Sequence, residues 1–208
     1  MGHSFITNMM NGVAQPILSQ VSEDPKKQLQ VFRKMLRFTA FVSFPAMLGC
    51  SFIAPELIEM TITDKWSGSV DILQILCIGG SFIPIAALYS NLIISKGKSN
   101  VHMWNTICQG IVQVLVVFIL YPYGINTMIS AYVTINISWL LIWHFFVWQQ
   151  IQLSLWQTLK DILPYAIIAS TCIVITFFIT QNITNIYLLC ISKIILTAIL
   201  YIIFMWIS

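Results

Sequence analysis

The sequence predicts an all-α fold: a polytopic transmembrane helical bundle of about six full spans, preceded by an N-terminal partial or polar span. Three observations carry that prediction. Hydrophobic residues make up 58% of the 208-residue chain and charged residues 8%, against roughly 45–50% and about 25% in ordinary soluble proteins. The mean hydropathy is +0.86. From Ser99 to Leu159 there is no Asp, Glu, Lys or Arg at all. So few charges cannot build a surface for water, so most of the chain must face lipid. The composition excludes a soluble enzyme, and no nucleic-acid partner is expected.

A membrane helix needs about 20 apolar residues to cross some 30 Å of hydrocarbon. Residues 38–55 are uncharged, which places span one at about 35–60. Span two covers 72–95. The long uncharged stretch is too long for one crossing. Tyr121-Pro122-Tyr123-Gly124 offers turn chemistry near its middle, dividing it into spans at 101–120 and 125–148. The run 162–192 is also uncharged, and the polar Gln181-Asn182-Ile183-Thr184-Asn185 separates spans at 162–180 and 186–206.

The intervening pieces complete the organisation of a single transmembrane domain over 1–208. Residues 1–22 read as the end of a preceding helix or as one more polar crossing, studded with Asn8, Asn11, Gln15 and Ser19. Residues 23–34 read as a basic cytoplasmic loop, and 149–161 as a short amphipathic helix in the interface. The first 22 residues carry no Lys or Arg, so the basic start of a cleavable signal peptide is not seen.

Basic residues orient the bundle. Lys26, Lys27, Arg33, Lys34, Arg37, Lys96, Lys98 and Lys160 fall on one side of the alternating spans, and only Lys65 on the other. The crowded side is cytoplasmic by the positive-inside rule. Trp66, Tyr121, Tyr123 and Tyr187 mark the outer border, and Trp104, Trp148, Trp156 and Tyr165 the inner one. The expected location is a bacterial inner membrane, with multiple passes.

The sequence is poor in enzyme chemistry. The outer loops 61–69, 122–123 and 181–184 are too short to carry the acids and bases of an envelope sugar enzyme. Gly97-Lys98-Ser99 looks like the tail of a phosphate-binding loop, but the required earlier glycine is Leu92. The five cysteines stand alone in apolar runs, without ligand spacing. No catalytic residue, metal ligand or cofactor is expected.

Candidates for a transport path are clearer. Pro45 and Pro84 lie mid-span, where proline frees backbone carbonyls and bends a helix. Asn105, Gln109 and Gln113 recur every four residues on one face of span three. That amide stripe reads as a cavity wall, with a helix–helix seam as the competing reading. The stripe Asn126, Ser130, Thr134, Ser138 in span four reads instead as helix–helix contact. Glu56 and Glu59 share a face at the outer end of span one, and Asp71 opens span two nearby. Such acids suit a coupling proton or sodium ion, or a solvated helix end. Lys193 stands inside span six, roughly 12 Å from its outer end by helical rise. An intramembrane cation marks either a substrate path or a side chain snorkelling to the headgroups.

The runs QPILSQVSEDPKKQLQVFRKMLRF, SFPAMLGCSFIAPELI, KWSGSVDILQILCIGG and NLIISKGKSN, in that order over about the first 100 residues, carry a family resemblance. The chain resembles the polysaccharide-transporter branch of the multidrug and oligosaccharide-lipid exporter superfamily, which includes the O-antigen and lipopolysaccharide flippases. The matching features are Pro16–Ser19, Glu23–Arg37, Pro45, Ala54–Ile58 and Lys65–Trp66. The resemblance implies two helical lobes around a cavity open alternately to each side, of which this chain is similar to the C-terminal lobe only. It therefore implies a fragment of a longer flippase of undecaprenyl-linked oligosaccharide, working with membrane lipids around it. An ion-coupled multidrug exporter of the same superfamily and a non-transporting membrane remnant are the alternatives.

Overall fold

A computed structural model of the protein describes residues 14–61, 68–181 and 185–207. Among them, six helical stretches are long and apolar enough to cross a membrane: Pro25–Phe52, Ser69–Ser95, Ser99–Tyr123, Ile125–Ile151, Leu155–Thr180 and Ile186–Trp206. The number and order of spans agree with the sequence reading. Residues 14–20 form a helical segment before the first of them; residues 1–13 lie outside the described residues.

Helix α1 (Pro25–Phe52) is followed directly by α2 (Ala54–Thr61). The second span is α3 (Ser69–Gly80) and α4 (Ile83–Ser95), broken at Ser81 and Phe82. Next come α5 (Ser99–Leu120), a 3-10 turn at Tyr121–Tyr123, and α6 (Ile125–Ile151). Helices α7 (Leu155–Thr180) and α8 (Ile186–Ile207) close the chain. Helices suit this composition because each satisfies its own backbone groups where no water is present.

Two boundaries differ from the sequence expectation. Residues 23–34 are not a loop, because α1 already begins at Pro25. The Asp24 carboxylate accepts the N–H groups of Lys26 at 3.0 Å and Lys27 at 3.2 Å, and Pro25 sits in the first turn. This Asp-Pro start needs no apolar window to nucleate a helix. The bond from the Lys27 N–H also holds the Asp24 carboxyl below the usual carboxylate range. The second difference concerns 149–161, which does not form a separate interfacial helix. Helix α6 runs on to Ile151, Gln152 takes a left-handed conformation (φ 55°) with its N–H on the Trp148 carbonyl, and α7 starts at Leu155. The segment is polar because it holds the end of one span and the start of the next, not because it lies flat.

Helix α1 is the centre of the bundle and packs against α3, α4, α6, α7 and α8, most extensively against α7. Phe32, Leu36, Ala40 and Phe44, one turn apart on α1, are buried against Ile85, Leu88 and Leu92 of α4, Val147 of α6 and Cys172 of α7. Phe32 stacks on Tyr89 at 5.7 Å between ring centroids. Helix α5 lies at the edge, on α4 and α6. Large apolar side chains such as Phe118 and Trp206 point outward, as expected where the surrounding medium is hydrocarbon.

Close helix approach depends on small residues. At Gly79 a Cβ would sit 2.8 Å from Val133 Cγ1, so α3 can meet α6 only through a residue without a side chain.

Candidate functional site between the first and last helices

Proline explains how this site forms. Pro45 lies inside α1 and removes the N–H that would reach the carbonyl four residues earlier, Phe41. The Tyr201 hydroxyl of α8 donates to that Phe41 carbonyl at 2.9 Å. A similar exchange occurs nearer the outer end. Pro55 leaves the Ser51 carbonyl without its helical donor, and Gln74 Nε2 of α3 donates to it at 3.3 Å. Neighbouring helices thus satisfy carbonyls that the prolines release.

The space beside Pro45 is a cavity of about 410 Å³ between α1 and α8. Pro45, Gly49 and Ile53 line one wall, and Lys193, Thr197 and Tyr201 the other. A Cβ on Gly49 would meet nothing within 4 Å, so the glycine opens this wall. Thr197 is anchored behind the wall by a 3.3 Å hydroxyl contact with Thr176 of α7.

Lys193 does not snorkel. Its ammonium pairs with the Glu56 carboxylate of α2, with both side chains 9% exposed. The Lys193 Nζ also lies 4.3 Å from the centre of the Phe52 ring, a cation–π contact. The other Glu56 oxygen, Oε2, is buried and makes no hydrogen bond among the described residues. A buried charge pair is costly to form and more costly to break, so the two residues tie α2 to α8.

The remaining sequence candidates separate. Glu59 and Asp71 are exposed, and they do not join Glu56 at the pair. Pro84 is not mid-helix; it stands in the first turn of α4, beyond the break. Ser43 of α1 donates to the Ser81 carbonyl at that break, at 2.7 Å.

The amide stripe meets α6 rather than the cavity. Gln109 and Gln113 each donate to Asn136 Oδ1 at 3.0 Å, and Asn105 Oδ1 accepts the Trp139 indole N–H at 2.9 Å. One side-chain carbonyl serves two amides, which is how three amides fit a helix–helix seam. The Ser130 and Thr134 hydroxyls donate to carbonyls of their own helix, at 2.7 Å each, and not across to another.

Several participants escaped the sequence reading: Asn136, Tyr201, Gln74 and the ion cluster of Asp161. Asp161 accepts Arg33 Nε at 2.6 Å and Nη2 at 3.0 Å, and Arg37 Nε at 2.7 Å. A signal existed for the last, since Arg33 and Arg37 are one helical turn apart and Asp161 borders a long uncharged run.

Fold and site together define a multi-pass helical membrane protein with a cavity and a buried ion pair between its first span and its last. Residues 1–71 match the family model for polysaccharide biosynthesis protein. The chain is 32% identical over 95 residues to an uncharacterized membrane protein in the cps region of Klebsiella pneumoniae, covering 46% of this chain and 20% of that one. It is 23% identical over 86 residues to the lipopolysaccharide biosynthesis protein WzxC of Escherichia coli K12, covering 41% and 18%. It is 25% identical over 95 residues to the teichuronic acid biosynthesis protein TuaB of Bacillus subtilis, covering 46% and 20%. The matched stretch is thus about a fifth of each relative's length. Among solved structures, the lipid II flippase MurJ in an inward closed conformation has the same fold, with a TM-score of 0.79 at 19% identity, covering 98% of this chain and 44% of that one. The resemblance to the polysaccharide-transporter family therefore stands, as does a place in the bacterial inner membrane.

Proposed function

We propose that this chain takes part in moving a lipid-linked oligosaccharide across the inner membrane, for cell-surface polysaccharide or lipopolysaccharide biosynthesis, by alternating access. The observation that carries the proposal is the cavity at Pro45 between α1 and α8, beside which the buried Lys193–Glu56 pair ties α8 to α2. In this reading the hinge would lie where α1 gives way to α2 at Ile53, with Glu56 just beyond it. A change in the pair's protonation or ion occupancy would alter the attachment of α2 to α8 and so the width of the cavity. Glu56 Oε2, without a hydrogen bond among the described residues, is the place where a coupling proton or sodium ion would act.

The undecaprenyl-linked substrate follows from the family resemblance and from relatives named for lipopolysaccharide and teichuronic acid biosynthesis. The chemistry is translocation, not catalysis, with no cofactor in the scheme. A multidrug exporter is disfavoured because the two buried acids among the described residues, Glu56 and Asp161, are each neutralised by basic side chains. The MurJ-like fold spans 44% of that flippase's length, so within the proposal the chain acts as one lobe of a two-lobed machine.

Deletion of the encoding gene tests the proposal in cells. The expected result is loss of a surface polysaccharide with lipid-linked oligosaccharide accumulating on the cytoplasmic leaflet. Normal surface polysaccharide with no accumulation would overturn it.

A further inference from the structure

At the opposite end of the bundle from the Lys193–Glu56 pair lies a second polar site that the proposed translocation does not use. We propose that the pocket around Arg33, Arg37, Lys160 and Asp161 binds the phosphate of an anionic phospholipid headgroup from the cytoplasmic leaflet. The pocket has a volume of about 350 Å³, and Pro164 and Tyr165 form its apolar side. Three cations face a single acid, which leaves an excess of two positive charges. Asp161 is deeply buried, with its side chain 2% exposed, and it fixes both guanidinium groups from below. It takes Nε and Nη2 from Arg33 but only Nε from Arg37. The terminal nitrogens of Arg37 make no hydrogen bond to Asp161, and the Arg37 side chain is 49% exposed. A planar guanidinium held in this way is preorganised to grip a phosphate.

A second observation points to a lipid rather than a free anion. An apolar groove of about 430 Å³ adjoins the pocket and shares Lys160 and Pro164 with it. Trp156, Leu159, Leu163 and Ile167 of α7 line that groove. The Lys160 ammonium lies 5.8 Å from the centre of the Trp156 ring at their junction. Polar pocket and apolar groove side by side match a phosphate head and an acyl chain. The basic residues fall on the cytoplasmic side by the positive-inside rule, the side of the leaflet whose anionic headgroups attract them.

The test uses the purified chain in detergent, with phosphatidylglycerol or phosphatidylcholine titrated in and bound lipid counted by native mass spectrometry. The expected result is preferential retention of phosphatidylglycerol, weakened about fivefold by either Arg37→Gln or Lys160→Gln, the loss expected for one cation near a phosphate. Lys34→Gln, an exposed cation on the same helix, should leave retention unchanged. Lys160→Gln spares the Asp161 cluster, so it reads the site even if Arg37→Gln unfolds. Equal retention of both lipids, equal loss in the Lys34→Gln control, or saturation of the site by inorganic phosphate without lipid would each overturn the proposal.

Discussion

The Tyr201 hydroxyl donates to the Phe41 carbonyl at 2.9 Å, and that carbonyl is the one Pro45 leaves without a donor in its own helix. A proline in the first span and a tyrosine in the last are therefore one structural unit. Tyr201→Phe should lower stability in a detergent unfolding titration by about 1 kcal/mol, typical of a hydrogen bond between membrane helices. In a Pro45→Ala background the backbone N–H returns, and the same substitution should cost less than half as much. An equal cost in both backgrounds would separate the tyrosine from the proline.

The Lys193–Glu56 pair predicts a pattern rather than a single loss. Removing one partner leaves a buried charge, so Glu56→Gln or Lys193→Met should each destabilise by about 3 kcal/mol. The combined variant should be more stable than either single one. Chemical unfolding of the three proteins decides this, and additive losses would show that the two charges act independently.

Asn136 is the acceptor for two amides of the neighbouring helix. Asn136→Leu should cost about 1 kcal/mol by leaving Gln109 and Gln113 without their acceptor. Adding Gln109→Leu and Gln113→Leu should recover part of that loss. If the triple variant unfolds well below Asn136→Leu, the amides have partners other than this seam.

Gly79 packs against Val133 where α3 meets α6. Gly79→Ala should destabilise by about 1–3 kcal/mol through overpacking, since its Cβ would lie 2.8 Å from a β-branched side chain. Val133→Ala should rescue it, and thermal unfolding in detergent reads both. A harmless Gly79→Ala would mean that the two helices move apart freely.

Much of the fold was legible in the sequence for a simple reason. Spans are written as long uncharged runs, and their borders as aromatic and basic residues, so the six crossings emerge from residue chemistry alone. Helix starts were less legible where a cap outweighs hydropathy: Asp24-Pro25 begins α1 a good ten residues before the apolar window opens. The segment 149–161 misled because polarity there belongs to two helix ends and a left-handed Gln152. In the site, Pro45 and Lys193 were visible as oddities within their spans, but nothing in one dimension shows that they face one cavity. Glu56 looked like a member of an acid cluster with Glu59 and Asp71 until packing gave it a cation 137 positions away. The amide stripe was recognisable by its four-residue spacing. Its destination depended on Asn136, which sits off the Asn126–Ser138 stripe that drew attention in span four.

Reconstituted flipping tests the central proposal most directly. Vesicles containing the complete two-lobed protein of which this chain forms one lobe would be loaded with a fluorescent undecaprenyl-linked oligosaccharide, and its arrival in the outer leaflet read by a membrane-impermeant quencher. Translocation should run well above the rate of protein-free vesicles and fall at least tenfold in Glu56→Gln, where the link between α2 and α8 is lost. A wild-type rate no faster than that of empty vesicles would contradict a role in moving the lipid.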